Sequence, residues 1–304
     1  MVWACVRLRL LALPVVGFLV CFVPAMKYCP VNPGVAPEEG CIKVMSFNTW
    51  DFGTQSRELS NEEKSRLRRE TLQYIADNSC DIVCLQESSL VYDVPDLIDE
   101  LIKSQMPYKD TCRGHGCSQL LVLSKYPIIR HELIEYETAG NISAAFYLDV
   151  EGREVILVNN HLETNHFSDE EKAQFGVMVK GNMHRQQIKS ESKFVVRKLA
   201  NAAVIRAAQA DSVAAFISRH QGEDIILCGD FNDIPISYAH KVIQGKLIDC
   251  YTNAGRGLGF SYRKNGMFVR IDNIMCSENF TPCYTFVDKS IDVSDHFPII
   301  TYLK

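Results

Sequence analysis

The chain has 304 residues, of which 47% are hydrophobic and 23% are charged, and it contains 17 Gly and 11 Pro. This composition is typical of a globular protein, and it excludes a disordered, collagen-like or coiled-coil chain. The formal net charge of −5 argues against a general basic coat for nucleic acid, although it leaves a local basic groove open.

An uncharged, apolar stretch runs from Leu10 to Met26, directly after Arg7 and Arg9. Its length lies between that of a secretory signal and that of a spanning helix, so it predicts a signal anchor or a cleaved signal peptide within residues 1–28. The basic residues ahead of it place the N-terminus in the cytoplasm and the remainder outside. We therefore expect an extracytoplasmic body that is membrane-anchored, or secreted if the segment is cleaved.

A proline- and glycine-rich linker is predicted at 29–40, followed by a single body at 41–304. Strand, helix and strand patterns at 42–47, 61–78 and 81–86 are typical of an α/β protein. A short turn at 151–153 makes part of the sheet antiparallel. Further strands are predicted at 119–123, 144–150, 155–159, 224–228, 271–275 and 297–303.

The longest helical pattern, 191–219, repeats apolar residues close to the 3.6-residue period, so one face is expected to be buried. A concentration of basic residues lies just before and along it, and it has two interpretations: the solvated face of an amphipathic helix, or a patch for an anionic substrate or a membrane surface. These residues are Lys180, Arg185, Lys189, Lys193, Arg197, Lys198 and Arg206.

The twelve cysteines are scattered along the chain. Cys84 and Cys228 lie inside apolar strand patterns and are predicted to be buried thiols. Cys112 and Cys117, with His115 between them, are candidates for a local disulfide or a metal loop, but two Cys and one His make an incomplete zinc set.

Polar side chains follow or precede several predicted strands, at the positions where open α/β sheets place their ligand sites. The set comprises four carboxylates, two amides and two imidazoles. Carboxylate and amide oxygens favour Mg²⁺ or Mn²⁺ over zinc, and a magnesium site that also binds phosphate oxygens suits the hydrolysis of phosphate esters. The residues are Asn48, Glu87, His161, Asp230, Asn232, Asp272, Asp295 and His296.

The segments that carry these residues resemble, in order, the motifs of the endonuclease/exonuclease/phosphatase superfamily, also called deoxyribonuclease-I-like. The resemblance extends from Lys43 to the C-terminus. It implies a four-layer α/β sandwich, with two mixed β-sheets packed face to face and helices outside, and phosphoester hydrolysis with Mg²⁺ or Mn²⁺ at one mouth of the sandwich. The matching segments are 46–50, 81–87, 160–162, 229–233, 270–274 and 294–298.

By this resemblance, Glu87 is the principal metal ligand, and Asn48 and Asp295 are further ligands, directly or through water.

The resemblance also implies that Asp230 activates the attacking water and that Asn232 positions water or phosphate. His296 would face the scissile phosphate, with Asp272 holding its tautomer. His161 matches the second imidazole of the deoxyribonuclease, sphingomyelinase and phosphoinositide phosphatase branches and argues against the abasic-site endonucleases, which carry Tyr there.

The histidines outside the motifs, such as His240, are expected on the surface or in loops. His166 is a candidate for a further role because it lies five residues past His161 on the same loop. The segment between Phe167 and Ser190 looks like an insertion, and insertions of this kind often set substrate choice.

The substrate stays open at this point between nucleic acid, a phospholipid head group and an inositol phosphate. The 41–304 body is mildly acidic, which disfavours a nonspecific nuclease unless the basic run flanks the cleft. A tethered phosphodiesterase or phosphatase acting on lipid or inositol phosphate is the alternative, and a non-catalytic binding module on the same fold is a third, for which a broken residue set would be expected. We take the chain to be a monomer.

Overall fold

The computed structural model describes residues 12–34, 37, 39–55, 58–88, 95–114, 119–138, 140–179, 185–264 and 266–304. Its helices are α1 Ala12–Tyr28, α2 Asn61–Asp77, α3 Pro95–Leu101, α4 Asp169–Val179, α5 Arg185–Arg219, α6 Tyr238–Gln244 and α7 Cys250–Ala254. Its strands up to β7 are β1 Ile42–Asn48, β2 Ile82–Gln86, β3 Tyr108–Arg113, β4 Gln119–Ser124, β5 Ile128–Ile134, β6 Ser143–Val150 and β7 Arg153–His161. The remaining strands are β8 Asp224–Asp230, β9 Ile248–Asp249, β10 Tyr262–Lys264, β11 Met267–Val269, β12 Asp272–Cys276, β13 Pro282–Val287 and β14 Ile299–Leu303.

The strands form two six-stranded mixed sheets and a small hairpin. The first sheet has the order β13-β14-β1-β2-β4-β3, and the second has the order β5-β6-β7-β8-β12-β9. Within each sheet one central pair is parallel, namely β1 with β2 and β7 with β8, and the other pairs are antiparallel. β10 and β11 pair only with each other among the described strands.

The two sheets pack face to face because alternate residues of their central strands are apolar on both sides. Val44, Cys84, Leu157 and Cys228 point into the layer between the sheets. Their neighbours on the first sheet pack against α2 and α3, and those on the second sheet pack against α5 and α6. The order of layers is helix, sheet, sheet, helix, and the predicted four-layer α/β sandwich is therefore confirmed.

Local sequence explains several elements. Ser60 caps α2, since its hydroxyl accepts the Glu63 N–H while the Glu63 carboxylate accepts the Ser60 N–H, which is a capping box. The tight turn between β6 and β7 places Glu151 and Gly152 at positive φ, as two-residue hairpin turns require. The antiparallel pair predicted around this turn is confirmed.

All the strands predicted from the sequence are present, with small shifts at their ends. The pattern missed β3, β5, β9, β13 and the β10–β11 hairpin. β3 and β5 each lie at the edge of a sheet and are largely solvent-exposed, so they lack the apolar signal of a central strand. The long helix begins at Arg185, ahead of the predicted Glu191.

Cysteine burial follows the sequence interpretation. Cys84 and Cys228 are fully buried, and burial together with the adjacent Cys228 raises the pKa of the Cys84 thiol. Cys112 is buried on β3, whereas His115 and Cys117 lie outside the described residues.

The expectation that His240 lies on the surface or in a loop was wrong. His240 is a residue of α6 and its ring is buried, with Nε2 3.2 Å from Asp249 Oδ2.

The end of α1 and the residues after it contact the body before β1 begins. Lys27 Nζ donates to Gln244 Oε1 at 3.2 Å, and the Asn32 amide donates to the carbonyls of Thr252 and Gly255 at 2.9 Å each. In the described part of the chain, none of the helices combines the length and hydropathy that crossing a bilayer requires. The division at 28 and 40 stays a prediction.

Substitution of Gly229 tests how closely β7 and β8 of the second sheet approach each other. Its φ is +137°, and a Cβ there would lie 1.9 Å from the Asn160 carbonyl oxygen of the paired strand. We expect Gly229→Ala to lower the free energy of unfolding by about 3 kcal/mol or more. Gly152→Ala is the matched control, because its φ is also positive but no atom lies within 4 Å of the added Cβ, so it should cost about 1–2 kcal/mol. Equal losses in urea unfolding would contradict the steric argument.

Candidate active site

Strand directions bring the polar residues singled out in the sequence to one end of the sandwich. Asn48, His161 and Asp230 are the last residues of β1, β7 and β8, and Glu87 directly follows β2. β12 runs antiparallel to β8, so Asp272 at its start lies beside Asp230. Two of the eight residues, Asn48 and Asp272, contact residues that line one cleft. The other six line the cleft directly, and they are Glu87, His161, Asp230, Asn232, Asp295 and His296.

The side-chain amide of Asn48 joins the two sheets at this end. Its Nδ2 donates to Glu87 Oε1 and to Asp230 Oδ2, at 3.0 Å in both cases. Glu87 follows a strand of the first sheet and Asp230 ends a strand of the second. One amide therefore holds two carboxylates, one from each sheet, side by side.

Two imidazoles flank this pair of carboxylates. His161 Nε2 lies 3.5 Å from Glu87 Oε1 and 3.8 Å from Asp230 Oδ2. His296 Nδ1 lies 2.9 Å from Asp272 Oδ2, and its Nε2 lies 3.7 Å from Asp230 Oδ2. A carboxylate that accepts from Nδ1 fixes the orientation of the imidazole ring, so His296 directs Nε2 towards Asp230.

Burial and neighbouring charge shift two of these groups. Burial raises the pKa of the Asp230 carboxyl to about 6, although the nearby His296 acts to lower it. Burial alone would lower the pKa of His296, but the carboxylates of Asp272 and Asp230 outweigh it and raise that pKa to about 10. His296 is therefore a cation near neutral pH, and Asp230 is a carboxylate that can accept a proton there.

Strained backbone accompanies the site. Glu87 and Asn232 have φ near +50°, although neither is Gly, and so do Trp50 and Asp51 in the loop after β1. Each such residue costs about 1–2 kcal/mol, so the surrounding structure must enforce it. The Glu87 carbonyl accepts the Asp51 N–H, which locks the two turns together.

Asn232 completes the loop after β8. Its backbone N–H donates to Asp230 Oδ1 at 2.7 Å, and its amide donates to the Leu162 carbonyl at 3.0 Å. Asn232 is thus held between the ends of β7 and β8, with its side chain in the wall of the cleft.

Asp295 is also in the cleft wall, and its Oδ2 lies 3.6 Å from Lys264 Nζ. The same ammonium group lies 3.9 Å above the Trp50 ring. Trp50 and Asp295 therefore line one side of the cleft, and Lys264 contacts both without lining it.

The donor chemistry of the site fits a divalent cation with oxygen ligands. The Glu87 and Asp230 carboxylates converge although both are anionic, and the partly exposed Glu87 opens to the cleft. The amide nitrogen of Asn48 faces these carboxylates while its oxygen accepts the Trp50 N–H, so a ligand role for that oxygen requires the amide to reverse.

A second acidic cluster lies deeper. Asp230, Asp272 and His296 offer ligand atoms within 4.8 Å of one another, and Asp272 Oδ1 is buried without a hydrogen-bond partner. Because Asp272 Oδ2 and His296 Nδ1 already contact each other, the accessible Glu87 is the better first ligand.

The cleft has a volume of about 560 Å³ and walls that the motifs did not reveal. Gln55 donates to Glu87 Oε2 at 2.9 Å, and the Tyr262 ring packs edge-on against His296 at 5.0 Å. These residues lie on loops and on the short hairpin, so only tertiary contacts could identify them. Further lining residues include Trp50, Gln119, Asn141, Phe167, Lys172, Met267, Val269 and Ile271.

Two described residues of the basic run, Arg206 and Lys198, contact the chain beside the site. Arg206 is buried, and its guanidinium contacts Asp233 at 3.2 Å and the Glu163 carbonyl at 3.0 Å, so it braces the loops beside the site. Lys198 contacts the His166 carbonyl at 2.7 Å and also Glu171.

The other described members of the run, Lys193 and Arg197, are exposed, and no described side chain of the run lines the cleft. Lys180 lies outside the described residues, as do the side chains of Arg185 and Lys189. Neither sequence interpretation fits Arg206, which is an internal brace.

The segment interpreted as an insertion forms α4 and the first residues of α5 in its described part, and Phe167 and Lys172 bring it to the cleft. His166 itself turns away to pair with the buried Glu163.

The chain belongs to the Endonuclease/Exonuclease/phosphatase family, which it matches over residues 45–296. No curated protein matches it by sequence. Among solved structures, a humanized D. rerio TDP2 with 14 mutations has a TM-score of 0.58 at 15% identity, covering 87% of this chain and 99% of that one.

The human Nocturnin catalytic domain with bound sulfate has a TM-score of 0.59 at 16% identity, covering 88% and 96%. A family protein from Leptotrichia buccalis has a TM-score of 0.59 at 14% identity, covering 86% and 99%. These likenesses concern the fold.

The raised pKa of Asp230 predicts an acid limit to any reaction in which this carboxylate accepts a proton. Below about pH 6 the carboxyl is protonated, so kcat/KM should fall about tenfold per pH unit. A cation bound nearby favours the ionised form, which puts the midpoint at or below about 6. The measurement is the pH profile of hydrolysis. A midpoint clearly above this value, or the same limb in the Asp230→Asn variant, would contradict the assignment.

Proposed function

We propose that the chain is a divalent-metal-dependent phosphoester hydrolase whose centre is the cleft at the ends of β1, β2, β7 and β8. The observation that carries the proposal is the paired carboxylates of Glu87 and Asp230, held by Asn48 and flanked by His161 and a cationic His296. Family membership supports the same reaction class.

Each residue then has a role that its contacts permit. Asp230 accepts the proton of the attacking water, and Asn232 positions that water or a phosphate oxygen. His296, oriented by Asp272, stabilises negative charge on the phosphoryl oxygens, and His161 contributes a second imidazole. The reaction forms one P–O bond to water, whose proton passes to Asp230, and breaks the P–O bond to the leaving group, which takes up a proton from water.

Glu87 would hold the cation, with Asn48 and Asp295 nearby as direct or water-mediated ligands. When bound, Mg²⁺, or Mn²⁺ in its place, neutralises charge on the phosphate and polarises its oxygens. The oxygen-rich donor set favours these ions over zinc.

Two substitutions separate the proposed base from the proposed metal ligand. Asp230→Asn should lower kcat by about 10²–10⁴-fold in saturating Mg²⁺ because the base is lost. Glu87→Gln should raise the Mg²⁺ concentration needed for half-maximal rate by at least about tenfold. The control is Glu154→Gln, an exposed carboxylate at the opposite end of β7 from His161. Near-normal kinetics in both site variants would refute these roles.

For the substrate, the lining of the cleft favours a compact phosphoester over a nucleic-acid polymer. Lys172 is the one Lys or Arg among the described lining residues, whereas Trp50, Phe167 and Met267 contribute apolar surface. A nonspecific nuclease draws most of its affinity from several phosphate contacts by Lys and Arg. We therefore propose a phospholipid head group or an inositol phosphate as the substrate, with endonuclease activity as the alternative.

A substrate panel decides between these alternatives. The full chain in detergent micelles is assayed with Mg²⁺ on plasmid DNA, RNA, sphingomyelin and an inositol phosphate, with EDTA and Asp230→Asn as controls. We expect EDTA-sensitive hydrolysis of the lipid or the inositol phosphate and not of the polymers. Nicking of DNA or RNA at comparable rates would favour the nuclease.

We also propose that the protein acts outside the cytoplasm and is tethered to a membrane by its N-terminal segment. The apolar stretch behind Arg7 and Arg9 supports this placement, and so does α1, in which none of the described residues is buried against the body. We also propose that the protein is a monomer.

A further inference from the structure

Arg270 joins the base of α1 to the wall of the cleft. This side chain is 1% exposed, and its guanidinium lies 4.2 Å from the Tyr251 ring centroid. It donates to the carbonyls of Lys27 at 2.6 Å and Tyr28 at 3.2 Å, the last two residues of α1, and to the carbonyl of Leu258 at 3.0 Å. A cation at the carboxyl end of a helix satisfies carbonyls that lack an intrahelical partner.

These contacts fix where α1 leaves the body. Because one guanidinium nitrogen contacts both the Tyr28 and Leu258 carbonyls, the base of α1 lies within about 6 Å of the Leu258 backbone. The Pro30 carbonyl also accepts the Gly257 N–H at 2.8 Å, and Val31 forms a bridge with Arg256. The exit of the apolar helix is thus fixed against residues 256–258.

Apolar side chains lie at this exit and on the chain segments next to it, and we call them the rim. Leu258 is 42% exposed, Val31 68% and Phe268 56%. The partly exposed Phe260 contacts the Phe268 ring, with centroids 6.1 Å apart. The rim consists of Val31, Leu258, Phe260 and Phe268, with the exposed Arg256 beside it.

The rim adjoins the outer face of one cleft wall, where Phe268 lies. Met267 and Val269 on β11 line the cleft, and Phe268 between them points the other way because side chains alternate along a strand. The opening of the cleft therefore lies on one side of the hairpin and the rim on the other.

We propose that the rim contacts the lipid bilayer into which α1 inserts, so that the cleft is held at the membrane surface. We infer a bilayer because the rim continues the apolar surface of α1, whose carboxyl end is fixed beside it. The exposed apolar residues of α1 include Leu13, Phe18, Leu19, Val20 and Val23. Apolar and aromatic side chains next to a basic residue are the composition of surfaces that enter the head-group region. The proposal rests on the membrane attachment proposed above and is independent of the cleft's chemistry.

Tryptophan quenching tests the contact. The full chain, with its two tryptophans Trp3 and Trp50 changed to Phe, receives one new tryptophan, Phe268→Trp or Leu258→Trp. Each variant is reconstituted with vesicles of phosphatidylcholine and phosphatidylserine, whose acyl chains are either plain or brominated. We expect the brominated lipid to remove at least about half of the emission at both rim positions.

Ile129→Trp is the matched control. Ile129 is a 59% exposed apolar residue on β5, four strands and about 19 Å from β12, and its emission should be the same in both lipids. Flotation of the same samples measures attachment separately. Chain that floats without quenching at 258 and 268 overturns the rim proposal alone, and chain that does not float overturns both the rim and the attachment. Neither result bears on phosphoester hydrolysis, which the substrate panel tests.

Discussion

The hydrogen bonds of the Asn48 amide are the interaction on which the site depends. They hold a carboxylate from the first sheet, Glu87, beside a carboxylate from the second, Asp230. This juxtaposition is possible because both parallel strand pairs end at the same mouth of the sandwich. A buried polar layer supports it from below, since Gln86 donates to Asn159 Oδ1 of the facing sheet at 2.7 Å. The packing of the two sheets therefore sets the distance between the Glu87 and Asp230 carboxylates.

The charges of these groups suit the binding of a phosphate. Two carboxylates side by side in a partly buried site favour a nearby cation. The structure offers both a place for a metal at the accessible Glu87 and a protonated imidazole at His296. A phosphate between them would meet positive charge on two sides, while Asp230 retains the capacity to take up a proton. Strain at Glu87 and Asn232 is the cost of aiming these side chains, and the surrounding hydrogen bonds maintain it.

The residues that shape the substrate come from a different part of the structure than those that carry the chemistry. The chemistry lies at the ends of buried strands, whereas the walls come from loops, α4 and the β10–β11 hairpin. Relatives at 14–16% identity share the sandwich, and substrate choice is expected to vary with these walls. The hydrogen bonds of Arg270 also join one of these walls to the base of the apolar helix α1.

The sequence by itself determined the central strands and the set of polar residues at the strand ends, and its resemblance to the family implied the layer order. Their signals are local: an apolar run such as 82–86 followed by Glu87 is readable along the chain. It missed the edge strands β3 and β5, whose exposed residues carry no burial pattern. Only the tertiary structure decided that Arg206, which the sequence grouped with surface cations, is a buried brace, and that Gln55 and Tyr262 contact the site residues. The physical reason is that periodicity records which face of an element is buried, whereas the partner of a polar side chain depends on contacts between segments far apart in the chain.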